Sequence, residues 1–523
     1  MTMFTARRLL LAFAWLFTLG CALVAGAYGH KHRARIRALL HAVQDAPVIT
    51  TNLHMLKVQK IVVPAEGRDG GIAAVGDGIL LVNRLGRFWF IDSEKQQHPL
   101  PFEVPLNVAE LESDPTNAQL LYPELFGVKD IAVQEIPGGV RVLASHSHWH
   151  SSQSCNTLRV SSLETTQEAL LSGDAESGTW RTVFETNPCR PLEKAPNGSP
   201  RVGLGAGGRI APMPDGGVLL SVGGFDPENE VVLQAPQKLD NSYGKTIWID
   251  PAKGTSRIYT IGHRNPQGLA VGSDGRIWLS EHAARGGDEL NLLVEAGNYG
   301  YPRVAYGTQY DEMSWPLSSR QGRHDEYEKP MFAWVPSIAT SQLVVLEGTA
   351  FPHWQGDLIV STLAAQSLYR VRIEDDRAIF VEPIPIGHRI RDIVEAGDGS
   401  IVLKTDDNFL VYMTPLDAES AATPTERGAI LAANCQACHG MTAESGAGIG
   451  PSLWGIVGRP VASVDNFTYS DGLRSVDGRW TPDRLRRFLA DPDSFAPGTI
   501  MQATDSYDDD ELSDLISYLQ TLR

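Results

Sequence analysis

Cys435-Gln436-Ala437-Cys438-His439 sets two thiols one helical turn apart, with an imidazole directly after them. Two thioethers to the vinyl groups of a porphyrin need that spacing, and the adjacent His places a nitrogen on the iron. The motif reads as covalent attachment of haem c, not as a zinc or redox pair. A low-spin iron needs a second ligand. Met501, in Pro497-Gly498-Thr499-Ile500-Met501 and 62 residues after His439, offers a thioether that raises the potential and suits electron transfer. Met441 competes poorly, because two residues after the iron-binding His it could hardly reach the opposite face.

A second cluster is His146-Ser147-His148-Trp149-His150. Alternation along a strand puts all three imidazoles on one face, which is open to three readings: a metal site, a proton-accepting base or ordinary polar surface. The remaining cysteines sort by position. Cys21 lies in an apolar run, which leaves Cys155 and Cys189 as an even pair, expected to form a disulfide in an oxidising compartment.

The elements that must position these groups change character along the chain. From Ala46 to Pro415 short apolar, β-branched runs alternate with turn residues, without long helical periodicity. A glycine turn followed by a strand recurs six times, at Gly78, Gly138, Gly216, Gly275, Gly356 and Gly399. Irregular spacing fits blades with loop insertions of different length, so a six-bladed β-propeller is expected over 46–415. Radial stacking covers both faces of each small sheet and leaves only short edges. A polar linker with a proline, 416–425, leads to an all-α domain over 426–523, with helices leading into the haem motif, over Thr481–Ala490 and over Asp508–Leu522. Asp508-Asp509-Asp510-Glu511 suits the positive end of the last helix; its spacing does not suit a calcium loop.

Residues 426–523 resemble a class I cytochrome c. Gly450-Pro451-Ser452-Leu453-Trp454-Gly455, Gly458-Arg459, Phe467-Thr468-Tyr469-Ser470, Trp480 and Pro497-Gly498-Thr499 stand in that family's order. The resemblance implies that Arg459, Tyr469 and Trp480 hydrogen-bond a haem propionate.

Residues 50–415 resemble the soluble quinoprotein glucose and aldose-sugar dehydrogenases, six-bladed propellers that bind pyrroloquinoline quinone (PQQ) and calcium. The motifs are Gly262-His263-Arg264-Asn265-Pro266-Gln267-Gly268-Leu269, Ser280-Glu281-His282-Ala283-Ala284-Arg285-Gly286-Gly287-Asp288-Glu289-Leu290-Asn291-Leu292, Gly297-Asn298-Tyr299-Gly300-Tyr301-Pro302 and Gly387-His388-Arg389-Ile390-Arg391-Asp392. By this resemblance Arg264, Asn265, His282, Arg389 and Arg391 contact the cofactor. That suits its three carboxylates, which Arg forks bind bidentately.

Departures from the pattern matter as much. The family's general base, a His four residues before Arg209, is Gly205 here, and the Asp that orients it is Gly224. Removing hydride from an alcohol needs a base for the hydroxyl proton, so the family's mechanism does not carry over unchanged. The lysine that contacts the quinone aligns with Ala364. The Gly-Pro whose carbonyls bind calcium aligns with Ala283-Ala284, a milder change because backbone carbonyls survive it. The 146–150 strand is the candidate source of a substitute base.

Charge and termini bound the partners. With 45 basic against 62 acidic residues the net charge is −17, which argues against a nucleic-acid partner. The cytochrome region alone carries 8 Arg, no Lys and 14 acidic residues. A downstream redox acceptor should therefore present a basic or apolar patch. No G-x-G-x-x-G follows a strand in a way that suggests a dinucleotide fold, so nicotinamide and flavin dinucleotide folds are not indicated. Leu9–Gly29 is uncharged over 21 positions and follows Arg7 and Arg8, so residues 1–45 read as an export signal or an uncleaved membrane anchor. Covalent haem and a disulfide both point to the periplasm. The expectation is a periplasmic redox protein: a PQQ-dependent sugar or alcohol dehydrogenase-like propeller passing electrons to a fused haem c. The alternative is a catalytically degenerate propeller that serves as a docking scaffold for the cytochrome.

Overall fold

The computed structural model describes residues 48–51, 53–65, 68–172, 179–194, 199–202, 205–224, 234–308, 323–416, 423–432, 435, 438–443, 449–465, 467–501 and 507–523. The export segment over 1–45, Cys21 and residues 417–422 of the linker lie outside them. The chain divides into two compact units, Gln59–Tyr412 and Ala46–Val58 with Met413–Arg523.

The larger unit is a six-bladed propeller. Blade 1 runs Gly70–Val75, Gly78–Asn83, Arg87–Ile91 and Gln97–Glu103; blade 2 opens with Val128–Ile136, Gly139–His150 and Cys155–Thr165. Blades 3, 4 and 5 begin at Gly207–Pro212, Pro266–Val271 and Thr340–Val345, and each is a four-stranded antiparallel sheet. The sixth sheet is ordered Ile390–Glu395, Ile401–Thr405, Phe409–Leu416, Met55–Val62 and Val48–Thr50, so strands from both ends of the chain share it. The first strands of successive blades neighbour one another in a closed ring. The six glycine turns of the sequence all open a second strand. Those strands are buried on both faces, which is why they read as continuous apolar runs. Apolar layers fill the spaces between blades, as where Leu80, Val82 and Phe88 meet Val140 and Val142.

Five of the six first strands carry a register shift near their start, between Val128/Asp130, Gly207/Ile210, Pro266/Gly268, Thr340/Gln342 and Ile390/Asp392. A bulge re-aims side chains, and here it brings polar ones together around the ring of first strands. Arg209 is the hub. It donates to Gln267 O at 2.7 Å, Asp130 Oδ1 at 3.1 Å, Ser341 O at 3.2 Å and Arg391 O at 2.5 Å, and its Nη1 lies 3.2 Å from Asp392 Oδ1. One guanidinium on blade 3 thus ties blades 2, 4, 5 and 6. Asp130 and Asp392 in turn accept from Ile210 N and Ile72 N of neighbouring blades, at 2.9 and 2.8 Å. Away from the ring, Cys155 and Cys189 form a disulfide with Cα atoms 5.7 Å apart.

In the second unit the helices Pro424–Ala432, Pro482–Ala490 and Asp509–Leu519 surround a core that includes Leu453, Trp480, Phe488 and Leu515. Arg427 and Asp514 join the first and last helices through a two-pronged ion pair of 2.6 and 3.1 Å. The acidic cluster is a helix start: Asp508 accepts from Asp510 N and Glu511 N, and Glu511 accepts from Asp508 N. The sequence pattern assigns Ala46–Val58 to the propeller, whereas the compact division groups it with the helices. The reason is packing: Met55, Leu416 and Ala429 form one cluster, and Lys57 pairs with Glu426 at 3.2 Å.

Candidate functional site

In the propeller, Arg264 and Arg389 lie in the turns just before the first strands of blades 4 and 6, and Arg391 lies within the strand Ile390–Glu395. Glu281, at the end of its strand, accepts from the backbone N–H of Arg264 and, at 3.2 Å, of Asn265. Its other oxygen lies 3.3 Å from Nδ1 of buried His263, which stacks on Tyr299. This acid fixes the Arg264-Asn265 turn, and Arg264 Nη1 then donates to His282 O at 2.8 Å. On blade 6, Arg389 and Arg391 share one partner, Asp406, at 3.0–3.1 Å. The Arg389 side chain stays 44% exposed and that of Arg391 16% exposed, so both can present charge to a ligand.

His282 reports that these groups converge. Burial pushes its pKa down to about 4; Arg264, Arg391 and Arg389 act in the same direction, and Asp288 opposes them. His282 is thus a neutral imidazole within electrostatic reach of three guanidinium groups, two of them already paired with Asp406. Behind it, Ala283 and Ala284 are buried, and the loop they begin is anchored by Asp288. That carboxylate accepts from Ala283 N, Ser337 Oγ, Ile338 N and Ala339 N at 2.6–3.0 Å. Ala364 donates its N–H to Ile338 O at 3.2 Å and brings no side-chain donor.

Gly205 and Gly224 lie beside the same turn without functional side chains. A Cβ on Gly205 would stand 3.4 Å from Asn265 Cγ, and Gly224 N donates to Arg264 O at 2.7 Å. Gly205 has φ +76°, a left-handed conformation that a His adopts only at a cost. On the 146–150 strand two of the three imidazoles have side-chain partners, and the buried Nδ1 of His148 has none among the described residues. His146 is fully buried and pairs with Ser161 Oγ at 2.9 Å; His150 lies 2.5 Å from Glu185 Oε1 and packs edge-on to His148. Burial first, then Arg159, pushes His148 down to about 4, and Glu185 and Glu110 are the acids that act on it. Among the described residues no group of three or more His, Cys, Asp or Glu side chains is arranged to hold a metal.

The second unit carries the C-x-x-C-H turn. Cys438 N and His439 N both donate to Cys435 O, at 3.2 and 2.9 Å, which sets the thiols one turn apart. Neither sulfur is in a disulfide. His439 Nδ1 donates to Pro451 O at 2.7 Å, since a carbonyl can only accept, so Nε2 is the ring nitrogen left to bind a metal. Gly450 lets this imidazole approach: a Cβ there would stand 2.3 Å from Cε1. Met441 is buried in the core, and Cys435 and Met501 pack against that same core. Arg459 donates to Ser452 O and Trp454 O at 2.7 and 3.0 Å, Tyr469 OH accepts from Val464 N at 3.3 Å, and Trp480 stacks on Phe495. The thiol pair, the oriented imidazole and a thioether are the donor set that a covalent haem requires.

Residues 71–410, more than half of the chain, match the family described as Glucose / Sorbosone dehydrogenase. The chain belongs to that family. Residues 425–523 of this glucose/sorbosone dehydrogenase family member match Cytochrome c. An uncharacterized protein of Synechocystis sp. is 31% identical over 281 residues, covering 50% of this chain and 63% of its own length. Aldose sugar dehydrogenase YliI of Escherichia coli is 29% identical over 188 residues, 33% of this chain and 50% of the relative. The chain thus spans half to somewhat under two thirds of these curated relatives. A crystal structure of glucose dehydrogenase superposes with a TM-score of 0.56 at 24% identity, covering 68% of this chain and 99% of that one, which shows a shared fold.

Three residues that position the pocket were not singled out from the sequence. Glu281 stands inside a quoted motif without a role, Asp406 is one of two consecutive aspartates after a strand, and Arg209 served only to place Gly205.

Proposed function

We propose that the propeller binds PQQ with calcium and oxidises a small sugar or alcohol, and that the electrons pass to a haem c carried by Cys435 and Cys438 of the same chain. The observation that carries this reading is Arg264 bonded to His282 O at 2.8 Å, with Arg389 and Arg391 held side by side on Asp406 and all three acting on a neutral His282. Three carboxylates on a planar quinone are the complement of three forked cations. When bound, such a quinone supplies a two-electron acceptor for an alcohol. The protein's own part is to bind and orient: the arginines and Asn265 take the carboxylates, and the Ala283 and Ala284 carbonyls hold the calcium. At the other centre His439 and Met501 would ligate the iron, and Arg459, Tyr469 and Trp480 would hydrogen-bond a propionate. Fusion keeps the electron acceptor at high effective concentration beside its donor.

The Cys155–Cys189 bridge and the haem-attachment motif support a periplasmic location, with residues 1–45 as export signal or anchor. The acidic cytochrome region supports a downstream acceptor with a basic or apolar patch. A specific observation favours the scaffold reading as the second one. Gly205 and Gly224 leave the turn beside Asn265 without a base, and His146 and His150 are engaged with Ser161 and Glu185. Titration calorimetry with PQQ and calcium, on wild type and on Arg389→Ala with Arg391→Ala, tests the pocket. Saturable binding that the double variant loses supports the quinoprotein. No binding to wild type moves the weight to the scaffold.

A further inference from the structure

One charged group beside the pocket is used by none of these roles. Lys129, on the first strand of blade 2, has its Nζ 2.5 Å from Asp69 Oδ2 and also donates to Leu125 O. Asp69 immediately precedes the first strand of blade 1, and its backbone carbonyl accepts from the buried Lys404 Nζ at 2.9 Å. Lys129 also borders the Gly205–Gly208 turn: a Cβ on Gly208 would stand 2.6 Å from Lys129 Cβ. That turn is therefore flanked by Asn265 on one side and Lys129 on the other.

Arg391 belongs to the same electrostatic neighbourhood. Burial pushes the Asp69 carboxyl up, but Lys129 and Arg391 more than offset this, and it titrates below its ordinary value. Burial, and next Arg391, pushes Lys404 down to about 8. Asp69 is thus an ionised carboxylate among three cations.

The lysines differ in what they can offer a ligand. Lys404 is fully buried, and Lys245 spends its ammonium on the carbonyls of Ala235, Pro236 and Tyr243 at 2.8, 3.3 and 2.7 Å. Lys129 keeps 12% of its side chain exposed and has two partners for an ammonium that can donate three times.

Building on the quinoprotein reading, we propose that Lys129 is a fourth cationic contact of the anion-receiving pocket, and that Asp69 attenuates it and so sets how tightly a polycarboxylate is held. Replacing the two partners should then move affinity in opposite directions. Removing the cation loses an attraction; removing the carboxylate unmasks one. A pair that only braces the fold would weaken binding whichever member is lost.

The test is titration calorimetry on the full-length, haem-loaded protein with two probes, PQQ plus calcium and benzene-1,3,5-tricarboxylate. Thermal melts accompany each variant. Lys129→Met should weaken both probes about tenfold or more, the scale of a hydrogen bond to a charged group. Asp69→Asn should tighten both about threefold, the scale of a partly screened ion pair. Lys129→Arg should stay close to wild type, and the neutral double variant Lys129→Met with Asp69→Asn controls for folding. Shifts of the same sign, or no shift, in variants that melt like wild type overturn the inference while wild-type PQQ binding keeps the quinoprotein reading. Opposite shifts with the tricarboxylate alone, and no PQQ binding, uphold the inference and sink that reading. A wild type that binds neither probe overturns both.

Discussion

Arg209 and Asp392 meet where the first strands of blades 3 and 6 face each other, Nη1 to Oδ1 at 3.2 Å, and the same nitrogen is 3.1 Å from Asp130 Oδ1 of blade 2. All three side chains are under 5% exposed. One guanidinium therefore offsets two carboxylates that water cannot reach. Removing it leaves Asp130 and Asp392 buried without the guanidinium they share and should be costly well beyond the loss of its hydrogen bonds. Arg209→Met is expected to destabilise the propeller by about 3–5 kcal/mol in urea unfolding. A loss well under 1 kcal/mol would show that the guanidinium is incidental.

Asp130 gives this cluster a pH signature. Burial raises its carboxyl from the ordinary 3.8 to about 7, helped by Asp392 and opposed by Arg209. Between those two values the native state keeps a proton that the unfolded chain has released, so stability falls as pH rises from about 4 to 7 and levels off above. Asp130→Asn cannot titrate there. Its unfolding free energy, followed across that window, should lose this slope, and an unaltered slope would place the titrating group elsewhere.

Restoring a His at 205 is the obvious repair of the pocket, and the backbone argues against it. At φ +76° a side chain carries a penalty of about 1–2 kcal/mol. Gly205→His should lower the melting temperature by about 1–3 °C without raising substrate-dependent haem reduction. A variant as stable as wild type and more active would show that the turn relaxes to accept the base.

In the cytochrome region His439 Nδ1 is fixed on Pro451 O, which leaves Nε2 as the nitrogen that would ligate the iron. Met501→Ala should abolish the weak thioether-to-iron absorption band near the red end of the spectrum and lower the reduction potential. An unchanged spectrum would assign the sixth position to another group.

Much of this organisation is legible in the sequence because it is local. A glycine turn and the apolar strand after it are neighbours in the chain, so all six blades announce themselves, as does the one-turn spacing of Cys435 and Cys438. What is not legible depends on residues far apart. Asp406 gains its role only when blade 6 brings it under Arg389 and Arg391, and Lys129 finds Asp69 across a separation of 60 residues. The 146–150 strand shows the reverse failure. Alternation places three imidazoles on one face correctly, but which neighbour that face meets is decided by Ser161 and Glu185 on other strands. The grouping of Ala46–Val58 with the helices likewise rests on Met55 meeting Ala429.

The central claim is that substrate electrons taken up in the propeller reach the haem of the same chain. The direct measurement is stopped-flow absorbance of the full-length protein, reconstituted with PQQ and calcium, mixed anaerobically with a panel of aldoses and simple alcohols. The account predicts that at least one substrate reduces the haem, at a rate per molecule independent of protein concentration, and that omitting PQQ or combining Arg389→Ala with Arg391→Ala abolishes the reduction. A haem that stays oxidised with every substrate, although PQQ is bound, would contradict it and leave the propeller as a scaffold.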